Sequence, residues 1–134
     1  MDLLVIVIGF AISAFTAFSF YKAGSFKLKS SKETMLAAGF GWLEKLPVSV
    51  AKTIGLLEIL GAAGLILVPI GYLVGREWAI WFAVAAGVGL VLTMAGAIIV
   101  HAQRGESKFT LKMNLQLLLV ALLSAGAWFA LTLI

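Results

Sequence analysis

The sequence predicts an all-α fold: an integral membrane four-helix bundle with a short amphipathic helix between its first and second spans. Three observations carry that expectation. The 134-residue chain is 63% hydrophobic and only 12% charged, with a mean hydropathy of +1.13; soluble domains are roughly 45–50% apolar and about 25% charged. The apolar residues gather in four runs, 3–21, 48–70, 78–100 and 113–134, each about the 20 residues that cross a bilayer as a helix. The basic residues lie almost wholly on one side of those runs. Residues 1–134 are therefore expected to form a single transmembrane domain, with no room for a separate soluble catalytic module.

The first run, Leu3 to Tyr21, follows Met1-Asp2, which supplies no basic n-region, and no small-residue cleavage motif follows it. It is expected to be retained as a span. The loop after it carries Lys22, Lys27, Lys29, Lys32 and Lys45. Within that loop Ser30 and Glu33 have capping-box spacing, and Met35, Leu36, Phe40, Trp42, Leu43 and Leu46 follow. This pattern predicts a short helix lying in the interface, ended or bent at Gly39 and Gly41.

Pro47 opens the second run at its first turn, where a missing N–H costs little, and Pro69 is expected to close it. Trp78 and Trp81 mark the next interface as an aromatic belt. The third run carries small pairs four residues apart, Ala83 with Gly87 and Ala85 with Gly89, which let helices approach closely. The fourth begins near Asn114 and Gln116. The third loop holds Arg104, Lys108 and Lys112, whereas the second has only Arg76, beside Glu77. Eight basic residues against one predict cytoplasmic first and third loops and extracytoplasmic termini, in the cell's inner membrane.

Composition also excludes chemistries. Without cysteine there is no disulfide, thiolate nucleophile or Cys-ligated metal. A single histidine rules out bis-histidine haem within one protomer, and no metal site is expected. Basic residues spread over two short loops give no nucleic-acid surface.

Glu58 is the most informative residue. It lies ten residues inside the second run, about 15 Å from Val48 along a helix and close to the midplane. A carboxylate there is costly unless protonated, paired or facing a polar cavity. No Lys or Arg is expected to reach it, so the acid is expected protonated, donating to a ligand or, in the blander alternative, to the next helix. Thr93 lies at similar depth, on a stripe of Gly89, Thr93, Ala97 and His101 at i, i+4 spacing. Asn114 is level with His101. Gly55 and Ala62 share the face of Glu58 and withhold bulk beside it.

The expected ligand- or proton-binding set is thus Glu58, His101, Asn114 and Thr93, in a cavity lined by Gly55, Ala62, Gly89 and Ala97; no catalytic residue is assigned. Each has a plainer role open to it. His101 at an interface is often merely solvated, Thr93, like Ser13 and Thr16, often bonds its own helix, and Asn114 can cap the fourth helix. Lys52 is expected to snorkel to the headgroups.

At these residues the chain resembles the DoxX-like family of small four-span bacterial membrane proteins. The resemblance rests on Ala23-Gly24 with Lys27, Ile54-Gly55, Leu57-Glu58 with Gly61-Ala62 and Gly64-Leu65, Pro69, His101 with Arg104-Gly105-Glu106, and Asn114. It implies a quinone as cofactor or ligand, since the family takes its name from a small subunit of a thiosulfate:quinone oxidoreductase. It also implies a redox or membrane partner protein, as some relatives are described in oxidative-stress complexes. Three functions compete. The first is a ligand- or partner-binding subunit holding a lipophilic molecule; the others are a small proton-coupled transporter and a scaffold without chemistry. The expected surroundings are the lipid bilayer and further copies of the chain as a homo-oligomer.

Overall fold

The computed structural model describes residues 2–134, with Asp2 and Phe109 described through their backbone alone. Four helices are long and apolar enough to cross a membrane: α1 (Asp2–Lys29), α3 (Val48–Leu73), α4 (Ala79–Gln103) and α5 (Ser107–Leu131). Between the first two lie the six-residue α2 (Lys32–Ala37) and a 3₁₀ turn (Gly41–Leu43). The described residues contain no strand. Each long helix packs chiefly on two others, α1 and α4 both on α3 and α5, so the spans stand in a ring in chain order. Short connections produce this up-down-up-down bundle.

The helices overrun the apolar runs, and the overruns have consequences. The first does not stop at Tyr21 but continues to Lys29, because no proline follows before Pro47 and the bundle holds the extra turns. α5 starts at Ser107, which puts Asn114 two turns inside a helix rather than at a cap. Pro69 does not close α3, which runs on to Leu73 with Pro69 buried in it. Proline is tolerated there when neighbouring helices shield the interrupted backbone.

The expected capping box is displaced by one residue. Ser31 is the cap of α2, its hydroxyl accepting from the Thr34 N–H at 3.2 Å, while the Ser30 N–H completes α1 by donating to the Phe26 carbonyl. Gly39 ends the short helix with φ +99°, a conformation open chiefly to glycine. Met35 and Leu43 then fold back onto Ala51, all three fully buried, with Phe26, Phe40 and Trp42 packed around them. Lys52 caps α1 rather than snorkelling: its ammonium donates to the Leu28 carbonyl at 2.7 Å. The orphan carbonyls of a helix C-terminus favour such a cation.

Close contacts between the two helical pairs concentrate in the half of the bundle that bears the termini. There Trp128 covers Gly9, Leu90 covers Gly61 and Ala86 abuts Gly64. The Trp128 indole donates to Ser13 Oγ at 2.9 Å, Ser13 also bonds Ser124, and Thr16 donates to the Ile12 and Val120 carbonyls. In the other half, toward the basic loops, α1 meets α3 intimately at Gly24 and Gly55. A Cβ on Gly24 would stand 2.6 Å from the Gly55 carbonyl oxygen, and one on Gly55 would stand 2.8 Å from that of Gly24. The α1–α3 pair is thereby joined tightly at the basic end, and the space left in that half lies between it and α4–α5.

Candidate functional site

That space is a cavity of about 800 Å³ reaching from Phe15 and Phe18 of α1 to His101 of α4 and Met113 of α5, with Ala38, Phe40 and Trp42 at its basic end. Phe15, Phe18 and Met113 are exposed on the outside of the bundle, so the cavity opens sideways, toward where lipid would lie, between α1 and α5. Its walls are mostly apolar: Ile54, Met94, Ala97, Val100 and Leu117 join the aromatic residues. The volume is within the roughly 300–1,000 Å³ of small-molecule sites.

The polar groups enter from four helices. Glu58 is 1% exposed, and Lys27 donates to both its oxygens, at 2.9 and 3.1 Å. This overturns the expectation that no cation reaches Glu58. The overrun of α1 carries Lys27 alongside Gly55, whose added Cβ would stand 2.9 Å from the Lys27 Cβ. Glu58 is about one turn deeper along α3. Helical side chains lean toward their own N-terminus, so in this antiparallel pair Lys27 leans inward, Glu58 leans outward, and the two meet. The absence of side chains at Gly24 and Gly55 provides the room. Lys27 also lies 5.7 Å from the centre of the Phe40 ring, within cation–π range.

Of the anticipated residues, Glu58, Thr93, Ala97, His101 and Asn114 all line this cavity. Gly55, Ala62 and Gly89 are placed elsewhere: Gly55 against Gly24, Ala62 in the main apolar core, and Gly89 exposed. The Thr93 hydroxyl donates to the Gly89 carbonyl at 2.9 Å, the plainer of the roles open to it. His101 is tied at Nδ1 to Glu106 at 2.6 Å, and the other oxygen of Glu106 accepts from Arg104 Nε at 2.8 Å. The hydrogen bond from Arg104, followed by that from His101, holds the Glu106 carboxyl below the usual carboxylate range. This cluster abuts the backbone of Gly41, where a Cβ would meet Arg104 Nη2 at 2.9 Å, so the two basic loops touch beneath the cavity.

Asn114 is 4% exposed, and its Nδ2 is the buried side-chain polar atom that has no hydrogen-bond partner among the described residues. Buried amides are ordinarily satisfied. At the lateral mouth Lys22 lies 5.5 Å from the centre of the Phe18 ring. The arrangement therefore combines an apolar volume, a buried ion pair and an unpaired donor.

Span prediction ending α1 at Tyr21 concealed Lys27 as a loop charge, and Glu106 read as a loop acid. The signal that finds Lys27 is its position one helical turn after Gly24, on a helix that meets no proline before Pro47.

The sequence matches the family model described as the DoxX-like family over residues 11–125, which is most of the chain. Comparison with curated proteins and with solved structures gives no match.

Proposed function

We propose that this chain, which belongs to the DoxX-like family and is a multi-pass membrane protein, is a binding subunit taking a lipophilic molecule from the bilayer into its lateral cavity. The observation that carries this reading is the cavity of about 800 Å³ between the two helical pairs, with the Lys27–Glu58 pair in its wall. A bundle selected for packing alone would close that volume, because voids forfeit dispersion contacts. An ion pair held inside a membrane protein marks a functional site by default. Lys27 and Glu58 set the polar end of the site, and Phe15, Phe18 and Met113 receive the apolar body. A quinone-linked redox role is the version of this reading that the family resemblance suggests; the cavity itself asks only for a lipophilic body. With the basic loops cytoplasmic, the mouth opens toward the inner leaflet of the inner membrane. Proton-coupled transport fits less well, since protonating Glu58 would strip Lys27 of its partner.

Native mass spectrometry of protein extracted in mild detergent tests the proposal. A small molecule is expected to accompany the wild-type chain and to be lost from Ala97→Trp, which fills the cavity. A wild-type chain that carries nothing and takes up no added lipophile would refute it.

A further inference from the structure

Resting on that reading, we infer that the occupant's polar end is a hydrogen-bond acceptor, a carbonyl or carboxylate oxygen, received by the Asn114 side-chain amide. The reason lies in which side-chain polar atoms of the cavity wall lack a partner. Each oxygen of Glu58 already accepts from Lys27. The hydroxyls of Ser19 and Thr93 donate to the carbonyls of Phe15 and Gly89 on their own helices. His101 Nδ1 is engaged by Glu106. The buried side-chain polar atom without a partner among the described residues is a donor, Asn114 Nδ2.

An amide NH₂ has two protons to give and nothing to accept with. Leaving a buried donor unmade forfeits its hydration without recompense, and Asn114 stands in the cavity wall, where turning its amide toward a bound acceptor would satisfy it. An amphiphile with an acceptor head fits this vacancy, whereas a plain hydrocarbon leaves it open. The apolar body then extends past Leu117 and Met113 toward the mouth.

Asn114 is the chain's sole asparagine, which permits a test without mutation. Protein labelled with ¹⁵N at the asparagine side-chain amide gives one NH₂ proton pair. In detergent micelles, methyl oleate is expected to shift that pair downfield, and 1-octadecene, of similar length but without an acceptor, to leave it in place. Asn114→Leu supplies the second measurement: methyl oleate affinity is expected to fall about tenfold while 1-octadecene binding stays within twofold, which also shows the variant folded. Occupancy of both probes is followed by native mass spectrometry. If both bind and neither or both shift the amide alike, this inference is overturned while the cavity reading stands. If neither binds, the cavity reading fails and the inference falls with it.

Discussion

Replacing Lys27 with methionine strands Glu58 in the bundle interior. The carboxylate is 1% exposed and both its oxygens depend on Lys27. Losing one partner of a buried pair costs about 3–5 kcal/mol. An independent route gives a similar figure. Rather than remain charged, the lone acid takes up a proton, and protonating a carboxyl whose ordinary pKa is about 4.3 costs about 4 kcal/mol at pH 7. The folded variant then carries one proton more than its unfolded chain at pH 7, so acid favours the fold. The deficit is expected to shrink by about 1.4 kcal/mol per pH unit as pH falls toward 5. Removing the acid as well, in Lys27→Met with Glu58→Leu, leaves no stranded charge and should recover most of the loss, since apolar replacements of buried pairs are often neutral. Unfolding by dodecyl sulfate in mixed micelles, followed by circular dichroism at pH 7 and pH 5.5, measures all three quantities. A Lys27→Met variant as stable as wild type at pH 7, or a double variant no better than the single, would show that Lys27 does not hold a buried Glu58 charge.

Other expectations follow from the same contacts. Gly55→Val sets a side chain against the Gly24 carbonyl and the Lys27 Cβ; overpacking of this kind costs about 1–3 kcal/mol, whereas the same change at exposed Gly96, which meets nothing, should cost far less in the same titration. Ser13→Ala leaves the Trp128 indole N–H without its acceptor at a cost of about 1–3 kcal/mol, and a shift in the indole ¹⁵N resonance should accompany it. A ¹³C titration should place the Glu106 midpoint below the ordinary carboxyl range, rising more in Arg104→Gln than in His101→Ala. Because the folded value is depressed, its stabilisation of the α4–α5 turn is present above the unfolded pKa and is lost as pH falls through the folded one.

Much of this architecture can be read directly from the residues. Run lengths and composition give four spans, and Gly55, Gly61, Gly64 and Gly87 mark where helices touch, whereas the pair Ala85 and Gly89 lies exposed. Glu58 and Asn114 declare themselves as polar groups in apolar surroundings. What hydropathy could not supply is where α1 ends, because a helix crossing into the interface keeps its hydrogen bonds while its residues turn polar. That boundary decides whether Lys27 is a loop charge or the partner of Glu58. The separate destinations of Gly55 and Ala62 were hidden for a related reason. Sharing a helix face with Glu58 fixes direction, but which neighbour fills that face depends on how the helices diverge. Asn114 shows the same limit: a capping residue and a buried donor differ only in where the helix begins.

The proposed binding role requires that the space between the α1–α3 and α4–α5 pairs be open to the hydrocarbon of the bilayer. Because the chain has no cysteine, single cysteines can report on it without background. Ala97 lines the cavity, and Ala121 on α5 is fully buried in the core. In liposomes doped with an acyl-chain maleimide, Ala97→Cys is predicted to be labelled and Ala121→Cys to resist. Equal resistance at both positions would contradict the account.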